Sequence, residues 1–166
     1  MYKKLQISAF VKNSPGELFK LCQVMHQAGV NILAMSIQNA SSYLMELFKT
    51  REQTGRRIAT SSSYGSVMKD TEDRSVIRIV VDKAEAAVEA IKAADYAYNT
   101  SDVLILELEN RPGTLGELAG RFGEASININ YVYGSSLEDD KKAMYVFHLP
   151  NVDEALEQLK NLPGKC

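Results

Sequence analysis

The chain has 166 residues, 45% of them hydrophobic and 24% charged, with 19 Lys plus Arg against 21 Asp plus Glu. The resulting formal charge of −2 argues against a general nucleic-acid binder, which normally carries a basic excess, and no apolar run approaches the ~18 residues of a membrane span. Cys22 and Cys166 match no zinc or redox spacing, and Met1–Ser8 lacks the apolar stretch of a signal peptide, so a reduced, cytoplasmic setting is expected.

Leu5, Ile7, Ala9 and Val11 alternate with mostly polar neighbours, the period of a half-buried strand. Asn13-Ser14-Pro15-Gly16 follows as a turn. Leu18, Leu21, Cys22 and Met25 then recur at i, i+3, i+4 and i+7 and predict a helix with one apolar stripe. Gly29 suits a left-handed C-terminal cap, and a second strand starts near Ile32. A third strand is read at Val76–Val81, a helix through Ala84, Ala87, Val88 and Ile91, and a fourth strand near Tyr96–Thr100. Between the second and third strands lies an insertion, about 42–73, which contains the apolar run Tyr43–Phe48 and a Ser/Gly stretch, Thr60–Ser66. It reads either as a solvated excursion or as a ligand lid.

The rest of the chain repeats this order. Shifted by 97 positions, Lys12–Leu18 lies on Glu109–Leu115, and eight of the 21 positions from 12 to 32 are identical. Ala87–Lys92 lies on Ala155–Lys160 at a shift of 68, and the difference of 29 is the length of the insertion. In the second copy the strand is Leu104, Leu106 and Leu108, and the helix stripe is Leu115, Leu118, Ala119 and Phe122. A strand near Ile129, another at Ala143–His148 and a helix through Val152, Ala155, Leu156 and Leu159 complete it. The predicted fold is α+β, with two ferredoxin-like βαββαβ modules at 1–101 and 102–166, the second lacking most of its fourth strand. That deficit leaves a sheet edge, which a homodimer partner or the folded-back insertion is expected to cover.

The repeated Asn-x-Pro-Gly turn carries the candidate chemistry. Proline at the first helical position loses nothing, and the glycine beside it lets another group approach the backbone. N–H groups around Gly16, Glu17 and Leu18, and around Gly113, Thr114 and Leu115, then sit at a positive helix end that suits a carboxylate. Asn13 and Asn110 precede these glycines, and Asn31 and Asn128 return after the helix, so amide groups could hold a zwitterion's ammonium. The other reading is that these asparagines only shape turns.

Strand, Asn-x-Pro-Gly, helix and Gly-Val-Asn-Ile within a βαββαβ module resemble the ACT domain, the small-molecule-sensing module of amino-acid metabolism. Two copies with little else resemble the stand-alone tandem ACT proteins. The resemblance implies a ligand-binding set of Asn13, Ser14, Pro15, Gly16 and Asn31 in one copy, and Asn110, Arg111, Pro112, Gly113 and Asn128 in the other. Serine-sensing members carry a histidine two residues before the turn asparagine. Val11 and Leu108 stand there in this chain, which suits a more hydrophobic amino acid. The resemblance implies a non-enzymatic, cytoplasmic regulator that binds a free amino acid and passes occupancy on through assembly, as a homodimer, or through partner contacts. The alternatives are a regulatory subunit docking on an amino-acid biosynthetic enzyme, and an interaction module with degenerate ligand sites.

No other motif competes. His26 lies four residues after Cys22 without a third metal ligand, His148 reads as structural, and Glu138–Lys142 reads as a solvated hairpin turn. Neither a nucleophile with its base nor a cofactor fingerprint is present, so no catalytic residue, metal or cofactor is expected.

Overall fold

A computed structural model describes residues 1–39, 74–136 and 141–161. Residues 40–73, which include the expected insertion at 42–73, residues 137–140, which include part of the expected turn at Glu138–Lys142, and residues 162–166 lie outside the described residues.

Ten elements follow in chain order. They are β1 (Tyr2–Lys12), α1 (Glu17–Gln27), β2 (Ile32–Asn39), β3 (Arg74–Val81), α2 (Ala84–Ala93) and β4 (Ala97–Glu109), then α3 (Thr114–Glu124), β5 (Tyr131–Ser135), β6 (Lys142–His148) and α4 (Val152–Asn161). The chain divides into two compact units: Ile7–Thr100, and Met1–Gln6 with Ser101–Cys166. The boundary runs through β1 and β4, each of which gives one part of its length to each unit.

In the Ile7–Thr100 unit the strand order is β2-β3-β1-β4. β2 and β3 pair antiparallel, from Ile32 opposite Val81 to Asn39 opposite Ser75, with a bulge between Ile32 and Ala34. Ile7, Ala9 and Val11 of β1 meet Ile77, Ile79 and Val81 of β3, Leu21 and Met25 of α1, and Ala87 and Ile91 of α2 in one buried cluster. The alternation read from the sequence therefore selects the core face. The helix stripe is narrower than expected: Leu21 and Met25 are buried, while Leu18 and Cys22 are half-buried.

In the other unit the order is β1-β4-β6-β5, with β4–β6 and β5–β6 antiparallel. Leu104, Leu106 and Leu108 pack with Leu118 and Phe122 of α3, Phe147 of β6, and Val152, Ala155 and Leu159 of α4. The Phe122 and Phe147 rings lie 5.1 Å apart at 44°, a tilted geometry favoured by aromatic pairs. Two expectations are corrected here. Leu115 and Ala119 are exposed, because α3 buries only the row made by Leu118 and Phe122. The edge expected to need a partner or the insertion is taken by the chain's own Tyr2–Gln6, which lies beside β4.

Polar contacts hold that segment. Gln6 is fully buried; its Nε2 donates to the Tyr131 hydroxyl at 2.6 Å and to Ser101 Oγ at 3.4 Å, and its Oε1 accepts from the Tyr133 hydroxyl at 3.0 Å. Lys3 bridges Asp153 at 2.8 Å and Asp102 at 3.4 Å. Tyr131 stacks on His148 with ring centroids 4.6 Å apart. Among the described residues, no helix is long and apolar enough to cross a membrane.

Candidate functional site

Both Asn-x-Pro-Gly turns fold alike. Gly16 and Gly113 cap α1 and α3 in the left-handed region, at φ 92° and 93°, where an L side chain is strained and glycine is not. This corrects the placement of proline. Pro15 and Pro112 precede the capping glycine instead of opening the helix, since a residue at φ near 90° cannot itself be helical. The turns also use part of the backbone expected to face a ligand. Glu17 N–H donates to Ser14 O at 3.4 Å, and Thr114 N–H to Arg111 O at 3.3 Å.

The four asparagines are exposed, and the structure does not bring the two of either unit together. Asn13 Oδ1 accepts from Ser75 Oγ at 3.1 Å, beside the start of β3. The Asn31 backbone instead exchanges hydrogen bonds with Asp82, at the far end of β3. At ~3.3 Å per residue these points are roughly 20 Å apart. The second unit repeats the separation. Asn110 N–H donates to Lys141 O just before β6. Asn128 donates to Asn130 Oδ1 at 3.4 Å, and Asn130 N–H reaches His148 O at the other end of β6.

A cavity of about 380 Å³ opens at the second turn, between the ends of β4 and β6 and one face of α3. That volume lies within the usual range of small-molecule pockets. The α3 face supplies Thr114, Glu117, Leu118 and Arg121, at i, i+3, i+4 and i+7. Glu107, Leu108 and Glu109 of β4, Arg111 of the turn and Lys142 of β6 complete the lining. Its chemistry is ionic. Arg111 Nη1 and Nη2 donate to both oxygens of Glu117 at 3.1 and 2.9 Å, and Nε donates to Glu109 at 3.3 Å. Lys142 pairs with Glu107 at 3.6 Å. The hydrogen bonds from Arg111, with its charge, hold the Glu117 carboxyl below the usual carboxylate range. Thr114 Oγ1 is enclosed and has no hydrogen-bond partner among the described residues.

Of the residues marked from the sequence, Arg111 lines this cavity; Asn110, Pro112 and Gly113 build the turn beside it. Asn128 is not part of it. Val11 and Leu108 are core residues, and Leu108 also reaches the lining, where charged neighbours outnumber it. The apolar lining expected from these two positions is therefore not what surrounds the second turn. Glu107, Glu109, Glu117, Arg121 and Lys142 were not marked by the sequence, and Thr114 was marked only for its backbone N–H. The helical spacing from Thr114 to Arg121 was the available signal.

Each α+β unit opens a helix after a left-handed glycine, so the chain is a pair of like modules. The chain belongs to the family of ACT domain pairs, whose model matches residues 56–162. Among solved structures it is similar to protein BT0572 from Bacteroides thetaiotaomicron, at 23% identity and a TM-score of 0.70 over 95% of this chain and 87% of that one. It is also similar to the regulatory subunit of aspartate kinase from Thermus flavus, at 13% identity and a TM-score of 0.56 over 96% and 92% of the two chains. The ligand-free regulatory subunit from Thermus thermophilus gives 13% and 0.57 over 95% and 89%. These likenesses concern the fold. Comparison with curated proteins gives no match.

Proposed function

We propose that this protein is a cytoplasmic regulator that binds a free amino acid at its Asn-x-Pro-Gly turns and passes occupancy on through assembly. One observation carries the reading: the same left-handed turn opens α1 and α3, and a cavity with both signs of charge adjoins the second of them. Cations and a helix N-terminus suit the α-carboxylate, and carboxylates suit the ammonium. A ligand that touches both kinds of asparagine must draw the second from another module, in this chain or in a partner chain, because they lie at opposite ends of a strand within each unit. A homodimer with ligands at its interface is the arrangement we propose to meet that requirement.

A thermal-shift screen of the twenty amino acids on the full chain tests the reading. Ligand at ~100 times its dissociation constant should stabilise the fold by about 2.7 kcal/mol. Flat melts throughout would remove the sensor role. Asn13→Ala and Asn110→Ala should each weaken binding by about 0.5–1.5 kcal/mol, the worth of a neutral hydrogen bond. Lower stability with unchanged affinity would reduce these asparagines to turn residues. A second reading, docking on an amino-acid biosynthetic enzyme, is supported by the two Thermus structures, whose names describe regulatory subunits. Affinity capture with and without amino acid separates the two, since only docking requires a partner enzyme.

A further inference from the structure

The cavity at the second turn already holds a carboxylate in the geometry that a ligand carboxylate would need. Arg111 presents the two-pronged edge of its guanidinium, and Glu117 fills both prongs at 3.1 and 2.9 Å. This bidentate match is the one arginine offers to any carboxylate, free or bound in a chain. The position is also that of the turn itself. A Cβ built on Gly113 would lie 4.0 Å from Glu117 Oε1, so the carboxylate lies over the glycine backbone at the head of α3. We propose that Glu117 is an internal stand-in for a ligand's carboxylate, and that binding at the second turn exchanges one carboxylate for the other on Arg111.

Three further observations support the exchange. Arg111 and Glu117 side chains are 49% and 62% exposed, and pairs this open are weak, so a competitor can displace Glu117. Thr114 Oγ1, enclosed in the same lining and without a hydrogen-bond partner among the described residues, is a donor available to an incoming oxygen. The first turn provides a natural contrast. At a shift of 97 positions, Ser14 stands for Arg111 and Lys20 for Glu117, and Lys20 pairs with Glu17 at 2.7 Å. The first turn has no guanidinium, and its own carboxylate, Glu17, is paired with a lysine and not with a two-pronged arginine. The exchange belongs to the second turn alone, and the two copies differ in ligand chemistry although their backbones agree.

The inference rests on the amino-acid reading but can be tested apart from it. An exposed pair that closes the site part of the time lowers apparent affinity by the fraction it holds closed, so removing Glu117 should tighten carboxylate binding about two- to six-fold. Acetate, a minimal analogue of the Glu117 carboxyl group, is titrated into the ¹⁵N-labelled full chain while the Gly113 and Thr114 backbone amides are followed in every variant, together with the Arg111 Nε–H resonance where arginine is present. Glu117→Gln should show the two- to six-fold gain. The Arg111→Lys/Glu117→Gln double variant should lose the gain, because an ammonium offers no fork. The twenty-amino-acid melts are run in parallel on the wild type and on Glu117→Gln. Tighter acetate binding by Glu117→Gln with flat melts in both proteins keeps the exchange and removes the amino-acid reading. An amino acid that stabilises the wild type, with equal or weaker acetate binding by Glu117→Gln, overturns the exchange and leaves that reading standing. Acetate that never shifts Arg111 in Glu117→Gln overturns the exchange whatever the melts show.

Discussion

Gln6→Leu should loosen the short N-terminal segment from its unit more than its single side chain suggests. Gln6 is fully buried, and its amide makes two close hydrogen bonds, to Tyr131 at 2.6 Å and from Tyr133 at 3.0 Å. Leucine keeps much of the volume and removes both. At ~0.5–1.5 kcal/mol for each bond, the loss comes to about 1–3 kcal/mol. For a chain of this size each kcal/mol lowers Tm by roughly 2–4 °C, so the melt should fall by about 2–12 °C. Calorimetry measures the total, and amide hydrogen exchange locates it. Amides of Lys3–Gln6 should exchange faster than those of Ile7–Val11, which pack in the other unit's core. The triple variant Gln6→Leu/Tyr131→Phe/Tyr133→Phe should recover part of the loss, because it also removes the two hydroxyls that lose Gln6 as their partner. An unchanged Tm in Gln6→Leu, or exchange quickened equally along all of β1, would refute the assignment of Gln6 as the fastening.

Gly16→Ala and Gly113→Ala should each cost about 1–2 kcal/mol by urea unfolding, since both positions stand at φ above 90°. No heavy atom lies within 4 Å of a Cβ built at Gly16, so there the penalty is backbone strain alone, and an unchanged midpoint would place the turn elsewhere in φ. Glu117 should stabilise the fold in a pH-dependent way. Arg111 lowers its pKa from the ordinary 4.5, so the stabilisation is present above that value and fades as pH falls through the lower folded one. The stability gap between wild type and Glu117→Gln should therefore close in acid, and a gap that widens below pH 4 would contradict the pair.

Much of the fold was legible because the repeat supplied two readings of one module. Alternation placed Ile7, Ala9 and Val11 on a core face, and Leu104, Leu106 and Leu108 repeated it. Periodicity gives the face of a strand, however, and not its neighbour. Nothing local to Tyr2–Gln6 says that it lies beside β4 in the second unit, and Gln6 occupies a position that alternation assigns to solvent. The helices show a similar limit. Both stripes predicted wide burial, yet Leu21 with Met25, and Leu118 with Phe122, form a single i, i+4 row each. Leu115, in the first turn of α3, projects beyond what the sheet covers.

The asparagines show what sequence spacing can and cannot say about a site. Asn13 and Asn31 flank an 11-residue helix, and at ~1.5 Å per residue such a helix carries the chain about 16 Å back along the sheet. Two residues at its ends cannot hold one small molecule between them, and the same holds for Asn110 and Asn128 across α3. What the duplication does preserve is the backbone: two left-handed glycines at the same place in each module. What it changes is the charge around them, with Lys12, Ser14 and Lys20 on one turn against Glu109, Arg111 and Glu117 on the other. A shared turn held by glycine geometry needs no particular side chain at those positions, so the change of charge costs the fold little. The side chains, not the motif, therefore decide which ligand each turn can take. On that ground the second turn, where Arg111 already holds a carboxylate, is the one whose chemistry can be read.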